Sequence, residues 1–352
     1  LPVPYPFRIR NLSIFLIGTG WVGFKIKGKL EYEIAFITNN KNMLKLGMIG
    51  MSPGNAHPYS WSSIINGTFD KSIINEIGYP AVSDYLQANR DTLGISGAKV
   101  SHVWSQDLEI SKSIAKNAGI SHVVENLEDM IGAVDAVILG RDDPERHVEM
   151  AKPFLEANVP LFIDKPLVYS REDLTYFSEQ HQLGKVFMSC SSMRYSQECR
   201  TVKTGIKSLG DIRLVTAVGK KDWKKYGVHL LEALFSTLDD PRPVKVQHIG
   251  EADEDIVKIT FENGVKATVH LFKDICGTFQ LSFFGENGWK MADIQNSYSM
   301  FRDNLIVFIE ALKEEKPYLE FAKTAAIMEV VIGAKESFEN GGVVVNIAEN
   351  ER

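Results

Sequence analysis

Between residues 134 and 166 the chain reads VDAVILGRDDPERHVEMAKPFLEANVPLFIDKP. Its apolar and polar positions spell strand, turn, helix, strand, turn. VDAVIL and VPLFI are short, nearly unbroken apolar runs, the pattern of strands buried on both faces. Between them Val148, Ala151, Phe154 and Leu155 share one face of a helix. Asp142 or Asp143 is expected to cap that helix and Pro144 to open it, while Pro153 inside it should bend it. Two buried strands joined by a helix make a right-handed βαβ unit and lie parallel. Ligands of such sheets bind past the carboxyl ends of the strands. Arg141 and Lys165 sit at those two ends and are predicted to point into one crevice.

The same alternation runs through residues 44–164. LKLGMIG (44–50) reads as a buried strand, followed by the turn Gly50-Met-Ser52-Pro-Gly54-Asn55 and a short helix, HPYSWSSIING. Residues 68–98 show little periodicity and read as an insertion with a short helix near residues 82–89. KVSHVW (99–104) is the next strand, with Ser105-Gln106-Asp107 at its end and the helix LEISKSIAKNA beyond. HVVEN and LEDMIG complete the series. Strands alternating with helices predict a doubly wound parallel sheet.

After Pro166 the order changes. A helix (170–183), the strand KVFMSCSS and a helix near 196–208 lead to the strand IRLVTAVGK and the helix KKYGVHLLEALFSTL. Strands then dominate: VKVQHI, DIVKITFE, VKATVHLF, TFQLSFFG and WKMADI, with Asn263-Gly264 as a hairpin signal. Alternation in KATVHLF and QLSFF gives one packed face and one freer face. Two helices and the strand VVVNI close the chain. The predicted architecture is α/β: a Rossmann-type doubly wound parallel sheet over 43–166, then an α+β domain with a largely antiparallel open sheet over 167–352.

Residues 1–42 differ from the rest, with six Lys or Arg against two Glu. They hold Gly18-Thr-Gly20-Trp-Val-Gly23 after LSIFLI, which matches the dinucleotide pattern G-x-G-x-x-G. That motif must open a helix, and FKIKGKLEYEIAFIT reads instead as more strand. These residues are therefore expected to be an extension outside the core fold, and the cofactor turn is placed at Gly50–Gly54.

The 352 residues favour two domains. A net charge of -6 gives no basic face for nucleic acid. Cys190, Cys199 and Cys276 show neither metal spacing nor a disulfide framework, so a reducing cytoplasm is the simplest reading and no metal site is expected. No apolar run approaches the length of a membrane span.

Two glycines in a strand-to-helix turn bring backbone N–H groups close to phosphate. Asp107 stands where dinucleotide folds hold the adenosine ribose, and it equally suits a helix N-cap. With no arginine directly after Trp104, NAD is favoured over NADP. Lys165, between Asp164 and Pro166, is placed to bond a substrate hydroxyl and help move its proton; the plainer reading is a surface lysine paired with Asp164. His229 lies on an apolar helix face, where a packed core histidine is the commoner case. Arg194 and Tyr195 are placed to line a substrate pocket, or Arg194 to pair with a carboxylate. His57 follows the glycine turn and could meet phosphate or substrate. His147 reads as a polar helix residue near the cofactor, and Trp61 and Trp223, which could stack on a sugar face, read as packed aromatics.

The strand, glycine turn and helix at 44–66, the Ile163-Asp-Lys-Pro166 end, Arg194-Tyr195 after a strand and Gly227-Val-His229 on a helix occur in that order. The chain from about residue 43 to 347 resembles the glucose–fructose oxidoreductase/inositol dehydrogenase (Gfo/Idh/MocA) family. The resemblance implies catalytic roles for Lys165 and His229, with Tyr226 beside the latter at the substrate. It implies that Gly50 and Gly54 bind the cofactor pyrophosphate; with the residues read from their positions, the candidate cofactor set is Gly50, Ser52, Gly54, Asn55, Asp107, Arg141 and Lys165, and the candidate substrate set is His57, Arg194, Tyr195, Tyr226 and His229. The implied activity is NAD(P)-dependent hydride transfer at a hydroxyl or keto group of a sugar, nucleotide-sugar or cyclitol, in a homodimer or homotetramer joined through the second domain's sheet. Three departures stand out. The turn is G-M-S-P-G-N, Arg141 replaces a small or polar residue, and Lys225 stands four residues before His229 where an Asp is usual. If the Lys225 ammonium approached the imidazole, it would lower its pKa. The departures also admit a non-catalytic NAD(P)/sugar-binding regulatory protein, or a redox-neutral sugar lyase or hydrolase.

Overall fold

The computed structural model of the chain describes residues 7–9, 12–16, 22–25, 43–314 and 319–347. The chain divides into two units, Leu1–Met43 and Leu44–Arg352. In the first, β1 (Phe7–Ile9), β2 (Leu12–Leu16) and β3 (Val22–Lys25) form an antiparallel sheet in that order. Gly23, the third glycine of the G-x-G-x-x-G text, lies in β3 opposite Phe15. A strand thus stands where a dinucleotide motif would need a helix. Gly18, Gly20 and the remainder of the proposed extension lie outside the described residues.

The second unit opens with β4 (Leu44–Gly50), α1 (His57–Asn66), α2 (Lys71–Glu76), α3 (Pro80–Ala88), β5 (Ala98–Ser105), α4 (Leu108–Ala118) and β6 (His122–Val123). It continues through β7 (Ala136–Leu139), α5 (His147–Glu156), β8 (Leu161–Ile163), α6 (Arg171–Gln182) and β9 (Phe187–Met188). The six strands are all parallel in the order β6-β5-β4-β7-β8-β9. The unbroken apolar runs are buried as expected: Leu46, Met48, Ile138, Leu139, Phe162 and Ile163 have no exposed surface. Strand order reverses between β4 and β7, so the crevice opens past Gly50, Leu139 and Ile163.

Two details differ from the sequence reading. The insertion at 68–98 carries two helices, because Asp70 caps α2 by accepting from the Ser72 and Ile73 N–H groups. KVFMSCSS contributes only Phe187–Met188, and β9 joins the edge of the parallel sheet beside β8. Helix α6 makes one more crossover, so the sheet takes its last strand from beyond Pro166.

The second sheet is built from β10 (Ile212–Lys220), β11 (Pro243–His248), β12 (Glu254–Phe261), β13 (Lys266–Phe272), β14 (Phe279–Gly285), β15 (Gly288–Asp293) and β16 (Val345–Asn346). Its order is β15-β14-β10-β13-β12-β11-β16, antiparallel except where β10 meets β13. Gly264, at φ 87°, makes the predicted Asn-Gly turn between β12 and β13. Val215, Ala217, Ile259, Val269 and Leu281 are buried on one face. The helices α8 (Val228–Thr237) and α10 (Phe321–Glu339) pack on the sheet. A Cβ at Gly333 would stand 2.7 Å from Val246, so α10 lies hard against β11. The other face carries exposed Leu214, Phe284, Trp289 and Met291. Leu214 pairs with Phe284 and Phe284 with Trp289, so three of these make one cross-strand row. Among the described residues no helix is long and apolar enough to cross a membrane.

Candidate active site

The glycine turn holds its place by two different constraints. A Cβ at Gly50 would meet Pro58 at 2.7 Å, so α1 packs directly against the end of β4. Gly54 adopts φ +81° with open space where a Cβ would be, so its need for glycine is conformational. The backbone N–H groups of Ser52 and Gly54 have no protein acceptor among the described residues. Unpaired N–H groups just ahead of a helix suit phosphate oxygens, so the turn fits a dinucleotide pyrophosphate.

The Ser52 and Asn55 side chains do not serve a cofactor as expected. Ser52 Oγ donates to Asp142 Oδ1 at 2.6 Å. Asn55 accepts from the His57 N–H and donates through Nδ2 to Gly140 O and to Asp164 Oδ2. These are small polar side chains that turn inward to satisfy buried acceptors.

Two carboxylates organise the crevice floor. Asp164, fully buried at the end of β8, accepts from its neighbour's N–H at Lys165 (2.8 Å) and from Asn55, and meets His57 Nδ1 at 2.6 Å. Burial alone would raise its pKa, but His57, Lys165 and these hydrogen bonds hold it well below the usual carboxylate range. Asp142 lies between two ammonium groups: Lys165 Nζ is 3.6 Å from Oδ2 and Lys225 Nζ 3.2 Å from Oδ1. There too burial is outweighed, chiefly by Lys165 and the Ser52 hydrogen bond, and the pKa is lowered. Neither Asp142 nor Asp143 caps the helix opening at Pro144 through its side chain; Asp143 pairs with Arg141 instead.

From the second domain, a π-helical turn at Trp223–Gly227 leads into α8 and delivers Lys225, Tyr226 and His229. Asp222 caps the turn on the Lys225 N–H. His229 Nδ1 sits 2.6 Å from Ser191 Oγ, and its ring touches those of Tyr226 and Phe279. Burial, then Lys165 and His57, push the imidazole well below its ordinary pKa. The direction is the one expected from the sequence, but its cause is different: the Lys225 ammonium is drawn to Asp142, not to the imidazole.

The other candidate residues are held as follows. Arg141 does reach the crevice, yet its guanidinium donates to Asp143, Met51 O and Gln106, so it brackets the strand ends instead of offering itself to phosphate. Arg194 is buried in pairs with Glu232 and Asp240, the carboxylate pairing that the sequence offered as the alternative to a substrate contact. Tyr195, partly buried, packs against the hydrophobic cluster that holds Cys190. Asp107 caps α4 by accepting from Glu109 and Ile110 with Oδ1 alone. Tyr226 stays near His229, its hydroxyl 2.5 Å from Lys221 Nζ. His147 bonds the carbonyls of Leu167 and Arg141 and is structural, as are buried Trp61 and Trp223.

Lys165, His229, His57 and Tyr226 thus come together, with Gly50 and Gly54 at one end. Sequence reasoning missed Asp142 and Ser191 as members of the site. Asp142's signal was its position beside the strand-end Arg141; Ser191 carried none beyond following a short strand.

A parallel sheet with a lysine at a strand end, followed by an open mixed sheet whose helix brings a histidine towards the same crevice, is an architecture similar to that of the Gfo/Idh/MocA family. Residues 74–186 match the family model described as "Oxidoreductase family, NAD-binding Rossmann fold", in agreement with the resemblance read from the sequence. The matched stretch begins after the divergent Gly50–Gly54 turn. No curated protein matches the chain. Among solved structures, a probable dehydrogenase from Thermotoga maritima is 14% identical, with a TM-score of 0.69 covering 86% of this chain and 99% of that one. Scyllo-inositol dehydrogenase from Lactobacillus casei, solved with NAD(H) and scyllo-inositol, is 14% identical with a TM-score of 0.68, covering 87% and 100%. Myo-inositol 2-dehydrogenase from Lactobacillus plantarum is 16% identical with a TM-score of 0.67, covering 87% and 99%. At these identities the likeness is one of fold.

Proposed function

We propose that the chain is an NAD(P)-dependent oxidoreductase that interconverts a hydroxyl and a keto group on a sugar, nucleotide-sugar or cyclitol. The observation that carries this reading is the meeting of Lys165, at the end of β8, with His229 on α8, close enough for the ammonium to depress the imidazole pKa. A bound nicotinamide would supply hydride chemistry. The chain's own residues bind and orient: Lys165 donates to the reacting oxygen, and the imidazole nitrogen of His229 not engaged with Ser191 is available to a second hydroxyl. The Ser52 and Gly54 N–H groups would hold the pyrophosphate. The remaining Asp107 oxygen suits a ribose hydroxyl, which favours NAD. The apolar row of Leu214, Phe284 and Trp289 supports self-association through the second sheet.

The second reading, a regulatory NAD(P)/sugar-binding protein, is favoured by one observation, the Arg141 bracket across the strand ends. NADH and NADPH fluorescence titrations, then turnover with a panel of sugars, nucleotide-sugars and cyclitols, separate the two. Saturable NADH binding with turnover of a panel member is the expected result. Tight binding without turnover supports the regulator, and no binding of either nucleotide sinks both.

A further inference from the structure

Oxidising an alcohol releases a proton as well as a hydride, and two imidazoles face the crevice to take it. They are held differently. His229 is partnered by a hydroxyl, Ser191, and among the described residues no carboxylate bonds its ring; Asp164 acts on it only through space. His57 is partnered by Asp164, a fully buried carboxylate whose place is set by the Lys165 N–H and Asn55 Nδ2.

An ionised carboxylate only accepts hydrogen bonds, so in the neutral ring the 2.6 Å contact puts the proton on Nδ1 and leaves the lone pair on Nε2. Nε2 has no protein partner among the described residues, and the side chain keeps 16% of its surface exposed. The ring cannot readily turn: it stacks on Trp61 at 4.2 Å and 12° and abuts the edge of Phe301 at 5.3 Å. It opens α1 directly after the glycine turn, beside Lys165 and within electrostatic reach of His229. A base oriented by a buried acid is the arrangement proton-transfer sites require.

We propose that His57 is the proton acceptor of the reaction and Asp164 its positioning residue. The proposal rests on the oxidoreductase reading. The substrate O–H proton would pass to His57 Nε2, with a bound oxidised nicotinamide supplying the acceptor for the C–H hydride. The alcohol carbon becomes a carbonyl, and the imidazolium shares its charge with the Asp164 carboxylate. Reduction runs the same steps backwards.

The test has two arms on the full chain. Diethyl pyrocarbonate, which modifies an unprotonated and accessible imidazole nitrogen, is mapped by mass spectrometry. His57 should react at a rate near that of exposed His181 and at least tenfold faster than His147, whose two nitrogens are both bonded. Asp164→Asn should slow His57 several-fold without changing His181, with thermal melting as the check on the fold. In the kinetic arm, His57→Gln should lower kcat by about two to four orders of magnitude with KM within about threefold. An unmodified His57 beside a modified His181, or parental kcat in His57→Gln, overturns the proposal. A reactive His57 that slows in Asp164→Asn, in a protein that turns over no alcohol, supports the positioned acceptor and sinks the oxidoreductase reading instead.

Discussion

The two walls of the crevice are built on opposite terms. On the parallel-sheet side, Ser52, Asn55, His57, Asp142, Asp164 and Lys165 form one closed polar network in which nearly every group is buried and bonded to another. On the α8 side, His229 projects from a helix buried through Val228, Leu230, Leu231 and Leu234, tied by a single hydroxyl, and Lys225 is a third exposed. Buried networks rigidify a site when complete and are costly when one member is removed. The first wall is therefore a fixed frame, and the second presents separate side chains whose loss it should tolerate.

The largest break should come from Lys165→Met. If Lys165 assists proton transfer, kcat/KM on any substrate found should fall by about two to four orders of magnitude; a loss under tenfold would remove it from the chemistry.

Stability sharpens the contrast next. Asp142→Leu strips the buried Lys165 of the carboxylate it pairs with and should cost about 3–5 kcal/mol in chemical denaturation. Lys225→Met removes the exposed partner of the same carboxylate and should cost about 0–1 kcal/mol. Equal losses would show that both walls are equally rigid.

The walls should also fail at different pH. His229 has a depressed folded pKa, so an unfolded chain binds a proton that the folded one refuses. Stability should begin to fall as pH drops below about 6.5, and His229→Gln should flatten that decline. The stabilisation carried by Asp164 and Asp142, whose folded values are lowered, is present above about pH 4 and lost as pH falls further. Thermal melts across pH 7 to 3 of the parent and His229→Gln decide this; an unchanged upper step would put the acid sensitivity elsewhere.

Backbone and cap effects come last. Gly54→Val forces a branched residue to φ +81° and should cost about 1–2 kcal/mol with weaker NADH binding, although no atom blocks its Cβ. Asp107→Ala should cost about 1 kcal/mol through loss of the α4 cap; an accompanying shift towards NADPH would assign its free oxygen to the ribose.

The elements were legible because apolar runs and glycine punctuation are local. VDAVIL, VPLFI and LKLGMIG declared themselves as buried strands, and strand ends located Arg141 and Lys165. What those ends touch was not legible. Asp142 meets Lys225 across 83 positions and Asp164 meets His57 across 107, and no periodicity links positions so far apart. The same limit explains Arg141 and Arg194: a strand end places a Cα in the crevice, while nearby carboxylates decide where the guanidinium goes. Ser52 and Asn55 sit in a turn that suits phosphate, yet buried acceptors behind the turn claimed their side chains.

The placement of β10 bears on how the second domain assembles. β13 and β14 are consecutive, yet β10 lies between them, parallel to one and antiparallel to the other. The local meander of β11, β12 and β13 can pair early, but β14 and β15 can join it only through a strand from far upstream. Until β10 docks, β13 and β14 each expose an open edge able to pair with another chain. Contacts of such long sequence separation form slowly. Assembly of this sheet should therefore be rate-limited by β10, and a nascent or heat-shocked chain should aggregate through the edges that β10 ordinarily seals.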